Sequence, residues 1–127
     1  MSIAQPLIAV VDDDDAVGKA LNRLLRSAGL RVETFASGLA FLKWLQSHAP
    51  AGVVLDLHMP EMDGFEVQAH LAQKEPRVPV ILITGRDSPQ ARQRALASGA
   101  AAYLAKPLND QALLETICAA IAYTPQN

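Results

Sequence analysis

The sequence predicts an α/β protein with a doubly wound, five-stranded parallel sheet and five helices, and three features carry that expectation. Apolar runs alternate with amphipathic stretches from one end of the chain to the other, the pattern of a repeated strand and helix unit whose sheet is covered on both faces. The runs Leu7 to Val11, Val53 to Leu57 and Val80 to Thr84 are almost continuously apolar, as central strands buried on both sides must be. Arg31 to Phe35 mixes polar and apolar residues, as an edge strand does. Setting the two most apolar early strands side by side gives the order 2-1-3-4-5, whose ligand crevice lies at the carboxyl ends of strands one and three.

The elements follow in turn. After the first strand, Leu7 to Val11, a helix presents Val17, Ala20, Leu21, Leu24 and Ala28 on one face, and Gly29 is placed to end it. The second strand is Arg31 to Phe35. Ser37 caps a second helix through Leu39, Leu42 and Leu45, and Pro50 follows its end. The third strand, Val53 to Leu57, leads to a helix from about Phe65 to Lys74. The fourth, Val80 to Thr84, is followed by Ser88 and Pro89, a cap with proline in the first helical turn, and that helix stops before Gly99. The fifth strand is Ala101 to Ala105. Asn109 or Asp110 opens the last helix, which carries Leu113, Leu114, Ile117, Cys118 and Ile121.

With 127 residues, half of them hydrophobic, the chain reads as a single domain over residues 1–127 with its core at about 6–122. Residues 123–127 are expected to fray or to begin a linker. Eleven Lys and Arg against 13 Asp and Glu leave no basic surplus, so direct nucleic-acid binding is not expected. Cys118 is the sole cysteine and no intrachain disulfide can form. The start Met1-Ser2-Ile3-Ala4-Gln5-Pro6 lacks the basic and long apolar stretches of a signal peptide, and no apolar run reaches membrane-spanning length. A cytoplasmic protein without membrane contact is the expectation.

The strand ends carry the chemistry. Asp12, Asp13, Asp14 and Asp15 follow strand one, Asp56 lies at the end of strand three, Thr84 ends strand four, and Lys106 and Pro107 follow strand five. Neighbouring carboxylates ~4 Å apart repel by about 1 kcal/mol in water and about 4 kcal/mol at an intermediate dielectric. Convergence of Asp12, Asp13 and Asp56 therefore calls for a cation, and oxygen-only ligands call for a hard one such as Mg²⁺. Asp14 and Asp15 are read instead as acids at the positive N-terminus of the first helix. Asp56, inside Val53-Val54-Leu55-Asp56-Leu57, has no stabilising role there unless it is paired, metal-bound or reactive. Lys106 supplies positive charge, and the X-Pro step at Pro107 can fix a tight turn that points the lysine inward. With the Thr84 hydroxyl, these groups describe a phosphoryl site: acceptor carboxylate, divalent ion, cation and hydrogen-bond donor.

Four stretches resemble the receiver domains of two-component response regulators, and the resemblance covers nearly the whole chain. They are Val10-Val11-Asp12-Asp13-Asp14, Val54-Leu55-Asp56-Leu57-His58-Met59-Pro60-Glu61-Met62-Asp63-Gly64, Ile81-Leu82-Ile83-Thr84-Gly85, and Ala102-Tyr103-Leu104-Ala105-Lys106-Pro107. The resemblance implies a flavodoxin-like fold and a phosphorylation switch that is not an enzyme in its own right. Asp56 would accept phosphate from a sensor histidine kinase or phosphotransfer protein. Asp12, Asp13, Asp56 and the backbone carbonyl of His58 would hold Mg²⁺, or Mn²⁺ in its place. Thr84 and Lys106 would bind the phosphoryl oxygens. Tyr103 would be the aromatic switch, turning from an exposed to a buried position when Thr84 moves, with a homodimer possible through the face of helix 4, strand 5 and helix 5. His58 and Arg86 occupy positions that tune phosphate lifetime in this family. The wording Ile83-Thr84-Gly85 is closest to receivers that precede helix-turn-helix transcription domains.

Two rival functions share parts of the pattern. A haloacid-dehalogenase-like phosphatase would use Asp12 as nucleophile in an Asp-x-Asp with Asp14, with Thr84 and Lys106 as partners, but it leaves Asp56 without work. A phosphate-independent interaction module would need none of the five site residues. A flavodoxin-like electron carrier shares the sheet order, yet four aspartates at the first strand end repel a flavin phosphate. His48, His58 and His70 fall on three different segments and do not read as a metal site. Trp44, beside Phe41 and Leu45, reads as packing or partner surface, and Cys118 as a small core residue.

Overall fold

The computed structural model describes residues 5–124. Five parallel strands, β1 (Leu7–Val11), β2 (Arg31–Phe35), β3 (Gly52–Asp56), β4 (Val80–Thr84) and β5 (Ala102–Ala105), form one sheet in the order β2-β1-β3-β4-β5. The helices are α1 (Asp15–Ser27), α2 (Gly38–Leu45), α3 (Gly64–Leu71), α4 (Pro89–Ala97) and α5 (Asp110–Ile121). Both the expected fold and the strand order are found.

Because side chains alternate along a strand, each central strand feeds two cores. Ala9, Val11, Val53 and Leu55 join Phe41 and Leu45 of α2 and Val67 and Leu71 of α3 on one face. Ile8, Val10, Val54, Ile81 and Ile83 join Leu21 and Leu25 of α1 and Leu113 and Ile117 of α5 on the other. Each fully buried Leu, Ile or Phe contributes about 1.5–3 kcal/mol, so the three interior strands are fixed by burial on both sides. Edge strand β2 buries only Val32.

The caps match the sequence. Asp14, Ser37, Ser88 and Asn109 each accept a backbone N–H at the start of α1, α2, α4 and α5. Several element ends differ from expectation: β3 opens at Gly52 rather than Val53, and α1 ends at Ser27 with Ala28 as its C-cap. β3 closes at Asp56 rather than Leu57, because the Leu57 carbonyl turns to accept the N–H of Gly64 at 3.0 Å. β5 opens at Ala102 rather than Ala101. α3 ends at Leu71, three residues before Lys74, which lies in turns and donates Nζ to the Leu45 carbonyl at 3.0 Å. Tyr123 does not fray: its N–H bonds the Cys118 carbonyl and its side chain packs on the α1 and α5 side. The rest of the expected tail, residues 125–127, lies outside the described residues, as does the start, residues 1–4. No helix among the described residues is long and apolar enough to cross a membrane.

Candidate functional site

The four consecutive aspartates have divided tasks. Asp12 is buried at the end of β1; its Oδ1 accepts the N–H of Asp14 at 2.9 Å and its Oδ2 faces Lys106 Nζ at 2.9 Å. Asp13 is exposed. Asp14 is spent on the helix cap, accepting from Ala16 N–H at 3.0 Å, and Asp15 pairs with Lys19 one turn on at 3.1 Å. The Asp-x-Asp pair that the phosphatase rival needs is thus dissolved, since Asp14 serves α1.

Register brings the remaining groups to the same edge. Val11 lies opposite Leu55, Asp56 opposite Ile83 and Thr84 opposite Ala105, so the ends of β1, β3, β4 and β5 share one side of the sheet. Carboxylate oxygens of Asp12, Asp13 and Asp56 all lie within 4.8 Å of one another. Asp56 is 3% exposed, and Lys106 Nζ stands 3.5 Å from its Oδ1. Burial, and then the charge of Asp12, push the Asp56 carboxyl above its ordinary value of 3.8 against the pull of Lys106 and of the His58 backbone N–H. Burial works against a charged Lys106, but its hydrogen bond to Asp12 and the charges of Asp56 and Asp12 outweigh that and hold the ammonium above 10.5. One lysine pairs with two of the three clustered carboxylates, so the donor set retains an excess of negative charge and offers only oxygens, which fits a hard divalent cation such as Mg²⁺. No histidine belongs to the cluster.

Thr84 is fully buried, and its Oγ1 accepts the N–H of Arg86 at 2.9 Å. Lys106 donates its backbone N–H to the Thr84 carbonyl at 2.7 Å, and the Lys106-Pro107 bond is cis. Tyr103 departs from the exposed resting position expected of it. Its ring is 6% exposed, because the hydroxyl donates to Asp87 Oδ1 at 3.0 Å and the Arg92 guanidinium lies over the ring, 4.8 Å from its centre.

Two features went unread in the sequence. Gly64 packs against the acceptor strand so closely that a Cβ there would stand 2.5 Å from the Asp56 carbonyl oxygen and 2.8 Å from Leu57 Cα. The adjoining Asp63 and Glu66 form a reciprocal capping box, a spacing of acid-x-x-Glu that was available as a signal. Asp87 and Arg92 had no such signal, since their contact with Tyr103 spans 16 and 11 residues of chain. Trp44 is packing: it lies 5.1 Å from Phe35 and 6.2 Å from Phe41 between ring centres, and it stacks on His48 at 4.5 Å. Cys118 is half-buried, and burial raises its thiol above 9.0.

A doubly wound sheet that gathers three carboxylates, a lysine and a buried threonine at one edge defines a class of phosphoacceptor signalling domains. The chain belongs to the response regulator receiver domain family, whose profile matches residues 8–118. It is 39% identical to the response regulator protein TmoT of Ectopseudomonas mendocina over 126 residues, 99% of this chain and 57% of that protein. Among solved structures, a response regulator receiver protein from Burkholderia phymatum is similar at 45% identity and a TM-score of 0.87, covering 97% of this chain and 100% of that one. The BeF₃-activated DrrB receiver domain of Thermotoga maritima is 31% identical with a TM-score of 0.86, covering 94% and 99%. The chain spans little more than half the length of the curated relatives it matches. As a receiver domain it is a phosphorylation-dependent signalling switch, of the family that exchanges phosphoryl groups with histidine kinases or phosphotransfer proteins.

Proposed function

We propose that Asp56 is the phosphoryl acceptor and that Asp12, Asp13 and the His58 backbone carbonyl join it in holding Mg²⁺, with Mn²⁺ able to substitute. The carrying observation is the buried Asp56 carboxylate, which shares a space within 4.8 Å with two other carboxylates and has Lys106 at 3.5 Å. An Asp56 oxygen forms a bond to phosphorus as the bond from phosphorus to the donor imidazole breaks, and the electron pair of that bond stays on the ring nitrogen. Lys106 Nζ compensates charge on a phosphoryl oxygen and the Thr84 hydroxyl donates to another. Bound Mg²⁺ supplies the charge neutralisation that lets an anionic acceptor approach an anionic donor. The protein assists this transfer and the later hydrolysis on itself and turns over no separate substrate.

The donor is a sensor histidine kinase or phosphotransfer protein, and residues 1–127 act as one domain in the cytoplasm, without contacting nucleic acid or membrane directly. Thr84 and Tyr103 carry the change to the α4, β5 and α5 face, where a second copy or an output partner binds; Pro107 fixes the turn that aims Lys106. Longer response regulators match over this portion, 57% of TmoT and 60% of StyR, which supports an output segment elsewhere in the whole protein; the wording Ile83-Thr84-Gly85 favours one of the transcriptional kind.

With Mg²⁺ and acetyl phosphate, intact-mass measurement is expected to show one base-labile phosphoryl group, absent from Asp56→Asn. Asp13→Asn is expected to fold normally, bind Mg²⁺ more weakly by titration and take up phosphate slowly. Undiminished labelling of Asp56→Asn, or label mapped to Asp12, overturns the assignment in favour of phosphatase-like chemistry.

A further inference from the structure

Phosphoryl chemistry does not account for what surrounds Tyr103. The contacts that hold its ring inward come from one short segment of the chain. Its hydroxyl donates to Asp87 Oδ1 at 3.0 Å, and the other oxygen of Asp87 faces Arg92 Nη2 at 3.3 Å. Arg92 closes the triangle, its guanidinium carbon 4.8 Å from the ring centre. Asp87 lies in the loop between β4 and α4, three residues past Thr84, and the same loop gives the Arg86 N–H to Thr84 Oγ1 at 2.9 Å. Thr84 and Tyr103 are therefore gripped by one loop.

We propose that Asp87 is a positioning residue for Tyr103, holding the ring inward before phosphorylation, so that phosphorylation moves the loop of residues 85–88 with the ring seated in it. This deepens the switch function proposed above and rests on it for the phosphorylated state; the resting position of the ring is independent of it. The hydrogen bond is charge-assisted and about twice as strong as a neutral one, and the cation lies on the electron-rich face of the ring. The Asp87 and Arg92 side chains are 44% and 51% exposed, so their ion pair by itself adds little, and Asp87 acts through the phenol. Without a carboxylate at 87 the hydroxyl must turn to water for an acceptor, and the outward rotamer supplies it. An asparagine at 87 still offers an acceptor oxygen. The phenol itself reports the tether: burial and then the bond to Asp87 raise its ionisation above 10.0, while the Ser88 backbone N–H and, less strongly, Arg92 lower it.

The test is solution NMR of the 127-residue chain with ¹³C-labelled tyrosine, Tyr103 being told from Tyr123 by Tyr103→Phe. In the unmodified chain the Tyr103 ring is expected to be shielded from a soluble gadolinium chelate, and to stay shielded when beryllofluoride is added. Asp87→Ala is expected to lose that shielding at rest and regain it with beryllofluoride, with phosphoryl uptake on Asp56 unchanged. Asp87→Asn is expected to keep the shielding while its phenol ionises at lower pH, and Arg92→Ala to shift that ionisation upward. A ring already exposed in the unmodified chain, or equally shielded in Asp87→Ala, overturns the proposal. Failure of beryllofluoride to perturb the acidic edge overturns the function proposed for Asp56 instead, and the resting comparison still decides the role of Asp87.

Discussion

Replacing Lys106 with methionine keeps the alkyl stem and removes the only cation found against Asp12 and Asp56 among the described residues. At an effective dielectric of about 20, Coulomb attraction is roughly 6 kcal/mol across the 2.9 Å contact with Asp12 and roughly 5 kcal/mol across the 3.5 Å contact with Asp56. Desolvation of the ammonium takes back most of this. What remains when one partner of a buried pair is removed is about 3–5 kcal/mol, and the lower end applies because the lysine side chain is 24% exposed. For a chain of this size 3 kcal/mol corresponds to a melting temperature lower by about 10 °C. Lys106→Met is therefore expected to melt about that much lower in EDTA. Mg²⁺ is expected to restore more of the loss than it adds to the unmodified chain, because the ion then meets three uncompensated carboxylates. Calorimetry with and without Mg²⁺ provides the measurement. A variant that melts within a degree or two of the parent in EDTA would show that Lys106 does not compensate the acidic cluster, and an equal Mg²⁺ response in both would show that the ion binds elsewhere.

Gly64→Ala is expected to cost about 1–3 kcal/mol in denaturant titration and to slow phosphorylation of Asp56 sharply, because the added methyl meets the backbone of Asp56 and Leu57 with no flexible side chain to yield. Gly18→Ala should do the opposite, stabilising by about 0.5–1 kcal/mol, since a helical glycine there has nothing within 4 Å of an added Cβ. Equal ΔG values for Gly18→Ala and the parent would contradict that. Burial raises the Cys118 thiol, so at pH 8 it is expected to react with iodoacetamide more slowly than an unstructured cysteine peptide, and at the peptide rate once the protein is unfolded in urea. A native rate equal to the peptide rate would remove the claim.

Strand order, caps and acidic edge were legible because each depends on local pattern. Near-continuous apolar runs such as Val80 to Thr84 can be satisfied only between two layers, and Ser37, Ser88 and Asn109 cap through bonds to residues three positions away. Asp12 and Asp56 were readable because a carboxylate beside a buried strand demands a partner. The buried position of Tyr103 was not, since it depends on a hydroxyl meeting Asp87 across a loop. Nor was the early end of α3, where turns and a tertiary bond from Lys74 to the Leu45 carbonyl replace three residues of helix that intrinsic propensity allowed.

The sheet also works as a partition wall. Tyr103 belongs to the core shared with α2, α3 and α4, whereas its neighbour Leu104 belongs to the one shared with α1 and α5. Close-packed, barely compressible side chains pass displacement on to what they touch. A shift of the Tyr103 ring therefore acts directly in its own compartment and reaches α5 through the β5 backbone that it shares with Leu104. Substitutions around Leu25 and Ile117 therefore reach the seat of the ring through the sheet backbone rather than by direct contact.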